Sequence, residues 1–157
     1  MKKSSLVVLL GLGALLLLGG GTAVYLMTRG LRNNNPGNIR RTSTAWQGMA
    51  LEQSDPDFVT FVSPEYGIRA MAKILASYAN NGVTKLSDII NRWAPPTEND
   101  TANYVLSVAN HTGLSPESLI STSQWPALIA AIIQHENGLQ PYDLTTLHNG
   151  ISLALNG

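Results

Sequence analysis

The sequence contains no cysteine, so neither a disulfide framework nor a thiolate metal site is open to it. Charged residues are scarce, at 13%, and unevenly placed. Residues 1–41 hold Lys2, Lys3, Arg29, Arg32, Arg40 and Arg41 and no acid, whereas from residue 42 on Arg69, Lys73, Lys85 and Arg92 stand against ten Asp and Glu. A domain of that sign lacks the basic face that phosphate binding requires, which argues against nucleic acid as a partner. His111, His135 and His148 have no metal-ligand spacing and no His-Glu-x-x-His is present, so a zinc peptidase is disfavoured. Neither metal nor cofactor is expected, and no Ser-His-Asp arrangement is legible.

A long apolar run is present instead. From Leu6 to Met27 there is no charged residue, and a helix of that length, at about 1.5 Å per residue, reaches roughly 33 Å, enough for a hydrocarbon core. The run is longer than the apolar part of a cleaved signal and closes on Tyr25, Leu26 and Met27 instead of a small-x-small site. Tyr25, Arg29 and Arg32 read as interfacial anchors. The expectation is therefore a single-pass transmembrane anchor over 1–29, contacting lipid through 6–27, followed by one domain over 30–157. Basic residues flank the run on both sides, so the positive-inside rule assigns no orientation.

Residues 30–63 lack helical periodicity and are rich in Asn, Gly, Pro, Ser and Asp. Asn35-Pro36-Gly37-Asn38 reads as a turn with a residue at positive φ, and Phe58–Val62 as a short strand. Ser63-Pro64-Glu65 opens a helix over 64–80 that ends at Asn81-Gly82. Leu86, Ile89, Ile90 and Trp93 mark a second helix, stopped by Pro95-Pro96. Tyr104, Val105 and Val108 mark a third, from Asp100 to Gly113. Ser115-Pro116-Glu117 predicts a short helix. Ser123 caps an apolar helix over 124–136 that ends at Gly138, and Asp143–Leu155 forms a last one. The fold class expected is mainly α: an N-terminal transmembrane helix and a small helical domain.

Glu136 breaks a local rule. It occupies the last turn of the most apolar helix, where the dipole disfavours a carboxylate and favours a base. Dipole and desolvation would both raise its pKa, the state a general acid needs near neutral pH. A solvated glutamate beside an Asn-Gly cap is the alternative that the residues alone leave open.

The segment Ala130-Ala131-Ile132-Ile133-Gln134-His135-Glu136-Asn137-Gly138-Leu139-Gln140-Pro141-Tyr142 resembles the catalytic-helix motif of lysozyme-like lytic transglycosylases, an apolar helix ending in Glu-Ser-Gly and then an aromatic-polar-Pro segment. The resemblance puts Glu136 on the family's catalytic glutamate. It departs at Asn137, where the family has serine, and the family's following Gly-Leu-Met-Gln block is not recognisable. Arg32–Arg40, Trp46-Gln47-Gly48 and Phe58-Val59-Thr60-Phe61 are similar to the loop that follows the catalytic helix in related glucosaminidases; here they precede it, which implies a circularly permuted lysozyme-like fold. Residues 30–142 as a whole resemble bacteriophage virion proteins with cell-wall-degrading domains.

Two further carboxylates compete. Glu98 sits in a proline-fixed loop near Trp93, and proximity to an indole can raise its pKa, making it the second candidate acid. Glu65, in the first turn of its helix, is stabilised as an anion and is the third. Asn33, Asn34, Asn35, Asn38 and Asn137 are candidate amide ligands for amino sugars, and Trp46, Tyr66, Trp93, Tyr104 and Tyr142 candidate stacking platforms, although turns and core account for most such residues. The resemblance thus implies a membrane-anchored phage virion protein that cleaves peptidoglycan glycan strands as a lytic transglycosylase, so that a genome can cross the wall. The alternatives are a hydrolase with a second carboxylate, a peptidoglycan hydrolase of other bond specificity, and a catalytically silent virion or envelope protein that contacts other virion proteins.

Overall fold

Prolines and caps set where the chain turns helical. The computed structural model describes residues 27–157, and within them a short α1 (Arg29–Arg32) leads into a loop region, then α2 (Pro64–Asn80), α3 (Leu86–Trp93), α4 (Thr101–Thr112), a 3₁₀ turn (Thr122–Gln124), α5 (Trp125–Asn137) and α6 (Leu144–Leu155). Pro64 takes the first helical position of α2, where its missing N–H costs nothing. Asp100 caps α4 by accepting from the Asn103 N–H, and Asp143 caps α6 by accepting from Thr146. Gly113 and Gly138 end α4 and α5 with φ of 70° and 73°, the left-handed region that a glycine enters without a Cβ clash.

α5 is the centre of the domain. Leu128, Ile129, Ile132 and Ile133 are completely buried, each contributing about 1.5–3 kcal/mol relative to exposure. α4 and α6 pack against α5, and α6 also runs along α2, so α5 is apolar around most of its girth. α6 approaches α2 closely because Gly150 has no side chain: a Cβ there would lie 2.6 Å from Ile68.

Helices α2 to α6 match the sequence-based expectations closely; three other expectations are corrected. Phe58–Val62 is no continuous strand, since Phe58 and Phe61 make isolated antiparallel bridges to Arg40 and Met49. Ser115-Pro116-Glu117 forms a turn, because the next residues join the start of α3 instead: Leu119 bridges Lys85, and the Ile120 N–H donates to the Thr84 carbonyl at 2.8 Å. The third correction concerns the expected transmembrane helix. Among the described residues no helix is long and apolar enough to cross a membrane. The longest, α2, has 17 residues with Glu65, Arg69 and Lys73 among them. The expected span over 6–27 lies outside the described residues except for Met27, an exposed non-helical residue. Arg29, expected at lipid headgroup depth, instead belongs to the folded domain: its guanidinium clasps Asp55 through two bonds of 2.6 Å.

Candidate functional site

A cleft of about 400 Å³ opens where the loop after α1 meets the ends of α3 and α5, with Asn38, Phe58, Tyr78, Trp93, Glu98 and Glu136 among its walls. Glu136 reaches it from the last turn of α5. Its two oxygens are held separately: Asn38 Nδ2 donates to Oε2 at 2.9 Å, and the Tyr104 hydroxyl donates to Oε1 at 2.8 Å. Burial pushes the Glu136 carboxyl above its usual range, against the opposing pull of Asn38, Tyr104 and the nearby Trp93 indole, all of which favour the anion. Burial, reinforced by the Glu136 charge and hydrogen bond, drives the Tyr104 phenol well above its ordinary value, so it keeps its proton and remains a donor. His135 stacks on the Tyr104 ring, centroids 3.6 Å apart. Burial and then the His111 charge lower the His135 pKa, which favours the neutral imidazole.

The asparagine-rich loop that presents Asn38 is fixed from within. Asn34 and Asn38 both have φ of 49°, a conformation asparagine tolerates better than most side chains. Asn35 is completely buried; its Oδ1 accepts from the Ile39 N–H, and its Nδ2 donates to the carbonyls of Ile39 and Val59. Asn33 donates to Asp55 at 2.8 Å. The Arg29 guanidinium and the Asn33 amide, with the backbone N–H groups of Phe58 and Asp57, hold the Asp55 carboxyl far below the usual carboxylate range despite desolvation. Asn137, completely buried, ties this loop to the end of α5. It accepts from Thr28 Oγ1 at 2.6 Å and donates to the carbonyls of Pro36 and Ile133 at 2.8 and 3.0 Å. A Cβ on Gly30 would come within 2.7 Å of both the Asn38 and Asn137 amide oxygens, so this junction requires glycine.

The candidate residues therefore separate. Glu136, Asn38, Trp93 and Glu98 meet at one cleft, Glu98 on its exposed edge 3.9 Å from Arg40. Asn33, Asn35 and Asn137 do not line it; their amides are spent on protein partners, and they position the loop. Glu65 lines a different hollow of about 660 Å³ with Gln47, Tyr66 and Asn149. Tyr142 lies within the influence of Glu65, its phenol pushed up to about 12 by burial and then by that charge. Trp46 packs on the core, away from the cleft, with its indole N–H buried and without a hydrogen-bond partner among the described residues. Tyr104, expected as a stacking platform, is instead a donor to Glu136; that role, and Phe58, Tyr78 and Arg40 as cleft residues, are not legible in the sequence. The one available signal was Tyr104 itself, a phenol on an apolar helical stripe whose hydroxyl needs a buried partner.

The Glu136 cleft sets one poorly solvated carboxyl, its pKa raised by burial, against a partly aromatic surface, an arrangement that suits a proton donor. Among the described residues no group of His, Asp and Glu is placed to hold a metal ion.

No family model matches the chain. It is similar to Protein P5 of Pseudoalteromonas phage PM2, with 41% identity over 140 residues, which span 87% of this chain and 88% of that protein. At that identity and coverage, the chain belongs to the family of the phage PM2 Protein P5.

Proposed function

We propose that this domain cleaves the glycan strands of peptidoglycan as a lytic transglycosylase, acting in a bacteriophage particle to open the wall for the genome. The observation that carries the reading is Glu136, a desolvated carboxyl at the C-terminal end of an apolar helix, held by two donors inside a cleft. The phage relative supports the setting, and the likeness of residues 130–142 to the transglycosylase catalytic helix supports the chemistry.

In this reading Glu136 starts protonated and gives its proton to the glycosidic oxygen as the bond from that oxygen to C1 breaks. Asn38 and Tyr104 then stabilise the carboxylate that remains. The carboxylate takes the proton of the sugar's 6-hydroxyl as that oxygen attacks C1, which closes a 1,6-anhydro ring and restores the acid. One carboxyl serves both steps, and no water is consumed. Trp93 offers an apolar face to a sugar ring.

Hydrolysis is the second reading, favoured by Glu98 on the same cleft, since a hydrolase needs another carboxylate to activate water or trap the sugar. Clearing of a peptidoglycan suspension by the full chain, Glu136→Gln and Glu98→Gln tests both. The transglycosylase reading expects activity lost only with Glu136; loss with either variant favours hydrolysis, and clearing unaffected by Glu136→Gln contradicts both.

A further inference from the structure

Seven of the eight cations among the described residues fall into two groups, and Lys73 belongs to neither. Arg29, Arg32, Arg41 and Arg69 each donate hydrogen bonds to protein acceptors, and Lys85 pairs with Asp88 and Glu117. The Arg40 and Arg92 side chains donate no hydrogen bond among the described residues; each guanidinium lies over an aromatic ring, as does that of Arg29, 4.6 Å from the Phe58 centroid. Arg40 sits 5.5 Å from the centroid of Phe58, and Arg92 5.7 Å from that of Tyr78. Both rings line the Glu136 cleft, and Arg40 lines it directly. The backbone bridge between Arg40 and Phe58 fixes the first of these pairs. The sole acid paired with Arg40 is Glu98, at 3.9 Å with both side chains more than half exposed, a contact too loose and too wet to compete with a well-formed bond.

A guanidinium seated on a ring loses little side-chain freedom when it binds, and its free donors match a carboxylate in two-point geometry. The described residues carry eight bases against ten acids, so two arginines beside one cleft with no hydrogen-bonded acceptor are not explained by an excess of positive charge. We infer that Arg40 and Arg92 are specificity residues that make the Glu136 cleft prefer glycans bearing carboxylates close to the scissile bond over neutral amino-sugar chains. The inference rests on the glycan-cleaving reading for its ligand class, though not on Glu136 being catalytic. Two sources supply such carboxylates in a bacterial wall: the lactyl group of a strand stripped of its peptides, and the acidic residues of an attached peptide stem.

The test is calorimetric binding to the full-length Glu136→Gln chain, with three oligosaccharide ligands: stem-bearing wall fragments, the same strands freed of peptide by an amidase, and neutral N-acetylglucosamine oligomers. The acidic glycans should bind at least about tenfold more tightly than the neutral oligomers, the order expected for charge-assisted hydrogen bonds. The preference should shrink as salt is raised, collapse in Arg40→Gln/Arg92→Gln, and return in part in Arg40→Lys/Arg92→Lys. Preference for the stripped strands assigns the lactyl group, and preference for stem-bearing fragments alone assigns the peptide. Equal binding of acidic and neutral glycans, or a preference untouched by the double glutamine variant, overturns the inference. A wild-type chain that shows the preference yet cleaves nothing overturns the catalytic reading and leaves this one standing, whereas binding of no glycan overturns both.

Discussion

Asn137→Ala puts the junction between the asparagine loop and α5 under direct strain. The wild-type amide joins Thr28, Pro36 and Ile133 at 2.6, 2.8 and 3.0 Å from a completely buried position. Truncation leaves the Pro36 carbonyl and the Thr28 hydroxyl without their partner, at about 1–2 kcal/mol each. The Ile133 carbonyl lies within the helical ladder, so its share is small, and the total comes to about 3 kcal/mol. For a domain of this size that corresponds to a fall in Tm of roughly 10 °C, read by circular dichroism. A double-mutant cycle with Thr28→Val should return a coupling of about 1 kcal/mol, because the two residues share one bond. Since Pro36 is two residues from Asn38, the variant should also lose wall-clearing activity at temperatures where it is still folded. A Tm within about 3 °C of wild type would refute the bridging role, because a buried carbonyl and a half-buried hydroxyl cannot both be orphaned for so little.

Three further outcomes are expected. Asn38→Gly and Asn38→Ala both remove the donor to Glu136, but alanine must also hold a Cβ at a φ of 49°, so Asn38→Ala should be about 1 kcal/mol less stable than Asn38→Gly in urea unfolding; equal stabilities would contradict the left-handed geometry. Tyr104→Phe removes a hydrogen bond that favours the Glu136 anion. The Glu136 pKa should therefore rise further, and the alkaline limb of the pH-activity profile should move to higher pH; a shift the other way would sink the assigned donor role. Asp55, its pKa lowered by Arg29, contributes stability that is complete above the unfolded carboxylate value near 4 and is lost as pH falls through the folded value. Stability should therefore erode on acidification below about pH 4, and Asp55→Asn should be destabilised at neutral pH with a flatter acid dependence.

Helices α2 to α6 were legible because their signals are local: a proline or aspartate at one end, a glycine at the other, and apolar residues at helical spacing between them. Glu136 was legible for a related reason, since a carboxylate against the helix dipole is visible without tertiary structure. The roles within the asparagine loop were not. An amide that closes a turn and an amide that meets a ligand are the same residue type, and only the fold reveals that Asn35 serves Ile39 and Val59 while Asn38 serves Glu136. Asn137, a departure from the transglycosylase motif, turns out to have a purely internal use that depends on Thr28 and Pro36, more than a hundred residues away in sequence for both partners. Ser115-Pro116-Glu117 carries a helix-opening signal, yet backbone pairing of Leu119 and Ile120 with the segment before α3 prevails. Glu65 and Trp46 lay close to promising motifs in sequence, but α2 directs Glu65 to another hollow, and Trp46 turns toward the core.

The most direct test of the central claim is mass analysis of the soluble products released from purified peptidoglycan by the full chain and by Glu136→Gln. The account predicts muropeptides ending in a 1,6-anhydro sugar from the wild type and none from the variant, which should remain folded because glutamine keeps the size of the side chain. The same anhydro products from both proteins, or products with only reducing ends from the wild type, would contradict it.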